Sequence, residues 1–160
     1  MSLWTENQNW RLDRPPELQQ VLEVKGELLD RVDPESNLSF PIIIFTTALA
    51  LIANVCHHLT CLLLLMHKPR LVKPVAVSRY STSAIWHAQC IAGIALSTDS
   101  PESWDPILIS GLLRAARYMS HSAQQTAIID ILNRVKVFTG FQLDGEIETL
   151  RSEWLLGEQD

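Results

Sequence analysis

PIIIFTTALALIANVCHHLTCLLLLMH, from Pro41 to His67, decides the fold, and no Asp, Glu, Lys or Arg occurs between Ser36 and His67. As one helix it would be about 40 Å long, enough to cross a small domain or a bilayer. Lys68, Arg70 and Lys73 follow it, as basic residues follow a membrane span. Against a span, Thr47, Asn54, His58 and Cys61 follow one another at steps of seven, four and three, so they share a helical face, with His57 beside them. Lipid would penalise Asn54 and the two histidines, whereas a central helix in a soluble bundle turns them toward partners or a cavity. The reading is a buried core helix. The start, MSLWTENQNWRLD, has no apolar core of the kind a signal peptide needs.

Outward from this stretch, the pattern predicts an all-α fold of about six helices in a single domain spanning residues 1–160. Residues 1–14 have no clear period and read as an arm docked by Trp4 and Trp10. Pro15 and Pro16 open a first helix with Leu18, Val21, Leu22, Leu28, Leu29 and Val32 on one stripe, ending near Asp33-Pro34. The central helix starts at Pro41, a favourable first-turn proline, and stops before Pro69. Pro69 to Ser81 reads as an extended crossing with Val72, Val75 and Val77.

Four further helices follow. Ser81 or Ser83 caps one that runs to Ser97, with Ile85, Ala88, Ile91, Ala92 and Ala95 inward and Gly93 permitting close approach. Asp105-Pro106 starts another to Met119, carried by Ile107, Leu108, Leu112, Ala115 and Ala116. Ser122 and Gln125 form a capping-box pattern for a helix with Ile128, Ile131, Leu132, Val135 and Phe138 inward, stopped by Gly140. Asp144 caps the last, on which Ile147, Leu150 and Trp154 align before Gly157.

A hydrophobic content of 47% argues against disorder, and a net charge of -5 argues against direct nucleic-acid binding. Cys56, Cys61 and Cys90 read as buried free thiols in a reducing, intracellular compartment, and their odd number argues against a disulfide framework. His57, His58 and Cys61 have metal-compatible helical spacing, but further ligands would have to come from His87, Cys90 or His121, and a satisfied histidine pair is the simpler reading. Cys61 in apolar surroundings reads as a packing residue rather than a nucleophile paired with His57. No metal or cofactor is expected, and no nucleophile elbow, phosphate loop or metalloprotease helix occurs. What remains chemically is an apolar pocket that folds a polyunsaturated substrate while hydrogen-bond donors polarise a carbonyl. Asn54, His58 and Thr47 are the catalytic candidates. His57, Cys61, Trp86, His87, Trp104 and Tyr118 are the candidate substrate-binding residues, although Trp86, Trp104 and Tyr118 also suit core or boundary packing.

NWRLDRPPEL at 9–18, CLLLLMHKPRLV at 61–72, WHAQCIAGIA at 86–95, WDPILISGLLRAARYMSH at 104–121 and the Thr139-Gly140 turn together resemble the carboxy-terminal regulatory region of fungal binuclear zinc-cluster transcription factors. The resemblance implies a helical region that receives effectors or partners, downstream of a zinc-cluster DNA-binding module. That module needs six closely spaced cysteines, and three scattered ones are present, so DNA binding in the family's manner is not expected. Two functions follow as expectations. One is a stand-alone relative that binds an apolar small molecule and cyclises or isomerises it, in a pericyclic, Diels-Alder-type reaction of secondary metabolism. The other is a non-catalytic regulatory fragment or interaction module that dimerises with a full-length zinc-cluster factor, with Ile109, Leu113 or Leu155 exposed for the contact; a homodimer is a separate expectation. The location would be cytoplasmic, or nuclear for a regulator.

Overall fold

The computed structural model describes residues 2–25, 40–67 and 82–157. Six helices account for most of them: α1 (Leu3–Asp13), α2 (Ala48–His67), α3 (Ala84–Leu96), α4 (Pro106–Ala116), α5 (Ser122–Thr139) and α6 (Asp144–Gly157). Two three-residue strands, β1 (Leu22–Val24) and β2 (Ile42–Ile44), pair antiparallel with Leu22 opposite Ile44 and Val24 opposite Ile42. The fold is mainly all-α, as the helical periodicity predicts.

The core is built where α2, α3 and α4 pack on one another, with α5 against α3 and α4 and α6 against α4. Leu62, Ile91, Ile94, Leu108, Leu112, Ile128 and Leu132 are fully buried there. Each such side chain contributes about 1.5–3 kcal/mol by leaving water. Helix ends follow their local chemistry. The Ser83 hydroxyl accepts from the Trp86 amide at 3.2 Å, and the Asp105 carboxylate accepts from the Ile107 amide at 2.7 Å ahead of Pro106. Gly140, at φ 73°, closes α5 in the left-handed conformation that glycine adopts without strain.

Several expectations are corrected. The amino-terminal arm is a helix, capped by Ser2, whose hydroxyl accepts from the Thr5 amide. It is polar on nearly every side, so no apolar period announces it. Pro15 and Pro16 do not start a long helix: Pro16–Leu18 makes one 3-10 turn and Leu22–Val24 is β1, while the remainder of the expected stripe, Leu28, Leu29 and Val32, lies outside the described residues. The central helix begins at Ala48 rather than Pro41, because Ile42–Ile44, three β-branched residues in a row, pairs as β2. α4 ends at Ala116 rather than Met119. His121, not Ser122, occupies the cap position of α5, and Gln125 donates instead to the Met119 carbonyl. Ile85, Ile107 and Phe138 are exposed rather than inward, and Ile109, expected at the surface, is buried. The stretch from Lys68 to Ser81, including the expected crossing, lies outside the described residues.

Gly93 allows the closest approach among the described glycines. A Cβ there would stand 2.1 Å from the Pro41 carbonyl oxygen. The chain entering β2 is thus pressed against α3, and the Ile43 amide donates to the Ser97 hydroxyl at 3.3 Å to hold it there.

Candidate functional site: a histidine-rich polar cluster under the first helix

α2 turns its polar stripe inward, as its spacing predicts: Asn54, His57, His58 and Cys61 are all buried. Burial forces each polar group to find a partner, and α1 and the segment after it supply them. The Arg14 guanidinium donates to the Asn54 carbonyl oxygen and, at 2.6 Å, to Gln20. The Asn54 amide donates to the Leu18 and Ala50 carbonyls, both at 2.7 Å. Asn7 spans two residues of α2, donating to the His57 carbonyl at 3.3 Å and the Cys61 sulfur at 3.1 Å, while its own oxygen lies 3.2 Å from His57 Nδ1. Gln8 also donates to Cys61, at 3.3 Å.

Aromatic rings complete the cover. Trp10 stacks on His57 at 5.6 Å, and the Arg11 guanidinium lies 5.4 Å over the Trp86 ring, a cation–π distance. On α3, His87 meets His58 Nδ1 to Nδ1 at 2.9 Å, so one ring donates and the other accepts. Trp86 packs edge-on against His58 and His87.

The electrostatics follow from burial. Desolvation, reinforced by Arg11, His87 and Arg14, pushes His57 down to about 3. Burial, reinforced by His87 and His57, holds His58 well below the ordinary histidine value. The Arg14 guanidinium is lowered as well, by burial and then by Arg11. Cys61 is pushed up to about 11 by desolvation, which outweighs the opposing hydrogen bonds from Gln8 and Asn7. It stands 3.9 Å from His57 Nε2 as a neutral thiol, not an activated nucleophile.

Asn54, His57, His58, Cys61, Trp86 and His87 are therefore brought together. Thr47 is not: it is exposed and caps α2, its hydroxyl accepting from the Ala50 amide at 3.1 Å. It lines a different cleft of about 320 Å³ with Ser97, Ser100 and Glu102. Trp104 is buried in the core before α4, and Tyr118 packs at that helix's far end; neither lines the space beside Asn54 and His58. Periodicity gave no sign of Asn7, Gln8, Arg11 or Arg14, which reach partners far off in sequence, or of Gln20, which joins the site through Arg14.

The space beside Asn54 and His58, bounded also by Arg14, Gln20, Trp86 and Cys90, is only about 10 Å³. It would barely admit one water molecule. Among the described residues no group of three or more His, Cys, Asp or Glu side chains is placed to hold a metal ion. His121, a more distant metal-ligand candidate, is exposed at the start of α5. No known family, curated protein or solved structure matches the chain.

Proposed function

We propose that the chain is a non-catalytic helical interaction module that docks a protein partner along the outward face of α2. The observation that carries this reading is that the helix is apolar on both sides. It buries Leu51, Val55 and Leu62 in the core and its polar stripe under α1, and the remaining side is also apolar and largely open: Leu49 is 72% exposed, Leu63 39% and Met66, whose sulfur accepts from Arg114, 38%, with Cys56 half-buried. An apolar helical face in water is the reverse of the usual arrangement, and a partner would remove its cost.

The filled space beside Asn54 and His58 supports the same reading over a cyclase. A polyunsaturated substrate needs hundreds of cubic ångströms, and the groups that would polarise it are engaged by Arg14, Asn7 and one another. A catalytic reading retains one favouring observation: the α1 side chains named above reach the site through polar groups, so lifting the helix would open it. The fungal regulators that the sequence resembles supply a setting in which a partner-binding role makes sense.

α2 is long and apolar enough to cross a membrane, with half of its most apolar window buried. A span would bring α1, with Glu6, Arg11, Asp13 and Arg14, into hydrocarbon beside it, at a cost of several kcal/mol per unneutralised charge. A protein surface requires no such transfer.

The test is to incubate the chain and a boiled control in a metabolite extract of the source organism and follow both by liquid chromatography and mass spectrometry. No metabolite should be converted. Loss of one peak with growth of another of identical mass would overturn the non-catalytic reading and establish a cyclase or isomerase. Flotation with phosphatidylcholine vesicles should leave the chain unbound; co-flotation would give the α2 face to a lipid surface.

A further inference from the structure

On α4, Ser110, Leu113, Arg114 and Arg117 follow at steps of three, one and three, and on α6, Glu146, Thr149, Leu150 and Glu153 repeat those steps. Each set therefore shares one helical face, and the fold packs the two helices together. The faces are joined where the Arg117 guanidinium donates to Glu153 at 2.9 Å and the Trp154 indole donates to the Ala116 carbonyl at 3.1 Å. Beside that join they leave a cleft of about 340 Å³, within the range of small-molecule sites. Leu150, buried, and Leu113, partly buried, give it an apolar wall. None of its lining residues belongs to the histidine cluster.

Arg114 is the unmatched group in this cleft. Its Nη2 donates to the Met66 sulfur at 3.0 Å, a weak and uncharged acceptor. Its Nε is buried and, among the described residues, has no hydrogen-bond partner. Neither nearby carboxylate neutralises it: Glu153 is engaged by Arg117, and Glu146, across the cleft on α6, forms no ion pair among the described residues. A charged donor removed from water without an acceptor is costly, and an anion in the cleft would remove that cost.

We infer that the cleft between α4 and α6 binds a small organic monocarboxylate, with its carboxylate on Arg114 and its apolar body along Leu113 and Leu150. This site goes beyond the docking of a partner on α2 and does not depend on it. A carboxylate matches the planar guanidinium fork, accepting from Nε and a neighbouring Nη at once. Its single charge also matches the cleft, in which Arg117 is already offset by Glu153. A phosphate group is close to doubly charged at pH 7, so Glu146 would repel it more strongly, and it offers nothing to the two leucines.

Octanoate, octanamide and inorganic phosphate, each titrated into the isotopically labelled full chain and followed by NMR, test the assignment. Octanoate should shift the backbone signals of residues 110–117 and 146–150 and the side-chain Nε–H signal of Arg114, with a dissociation constant below about 1 mM. Arg114→Gln should weaken binding at least about tenfold with far-UV circular dichroism unchanged, and Arg114→Lys, which keeps the charge but loses the fork, should weaken it less. Glu146→Gln, at an exposed position where the fold has little at stake, should tighten binding by removing the like charge. Octanamide binding as well as octanoate would mean that only the apolar body is held, and would overturn the proposal. Phosphate binding more tightly than octanoate would overturn the monocarboxylate assignment. Absence of shifts in α4 and α6 would overturn the site itself.

Discussion

Asn54 occupies the middle of α2 with its carbonyl oxygen and amide group engaged by Arg14, Leu18 and Ala50, so one side chain ties the helix to the segment that crosses it. The histidines beside it make this tie sensitive to acid. His57 is held near 3 in the folded chain against about 6.5 when unfolded, and His58 is shifted in the same direction. Between those values the unfolded chain binds protons that the folded chain refuses. Stability is thus full above about pH 6.5 and falls as the pH drops toward 3, by up to about 1.4 kcal/mol per pH unit for His57, with His58 adding to the slope. Urea unfolding at pH 7.5, 5.5 and 4.5 should show this decline. A flat profile would mean that the two rings are protonated in the folded state.

Among elements, the join between β2 and α3 is the least tolerant. Gly93→Ala would drive a methyl group into the Pro41 backbone carbonyl, which cannot swing aside as a side chain can, and should destabilise by about 2–3 kcal/mol in chemical denaturation. Gly111→Ala is the comparison. Its Cβ would stand 3.2 Å from the Val55 side chain, which can shift, so the cost should be smaller. The starts of α3 and α4 and the end of α5 were legible because Ser83, Asp105-Pro106 and Gly140 stand where backbone groups need partners; the start of α5 was placed by pattern, but its serine is not the cap. The chain before Thr47 was not legible. Leu18, Val21 and Leu22 fit a helical stripe as well as a strand, and Pro41 fits a first turn as well as the entry to β2; only the pairing of Leu22–Val24 with Ile42–Ile44 decides between them. The same limit applies to the candidate site. The inward stripe of Asn54, His57, His58 and Cys61 is a local property of α2, but Asn7, Gln8 and Arg14 reach it across 40 to 54 residues and leave no trace in any periodicity.

At the scale of the whole molecule, stability is unevenly distributed. α2, α3 and α4 share the apolar core, whereas α1 joins it mainly through Asn7, Gln8, Trp10, Arg11 and Arg14. Few buried apolar contacts mean a low local opening free energy. In native-state hydrogen exchange the amides of α1 should exchange well before those of α3 and α4. Equal protection would make α1 an integral part of the cooperative unit, and the catalytic reading that depends on lifting it would lose its remaining support.

The contact between His58 and His87 sets a further condition on the folded chain. Two neutral imidazoles that meet through the same ring nitrogen cannot be the same tautomer: one would carry its hydrogen on Nδ1 and the other on Nε2. Two chemically identical side chains, nearest neighbours in the core, should consequently give opposite patterns of ring ¹⁵N chemical shifts. If a proton reaches the accepting ring, two N–H groups face each other and the contact breaks, so the loss of that asymmetry would mark the opening of the cluster.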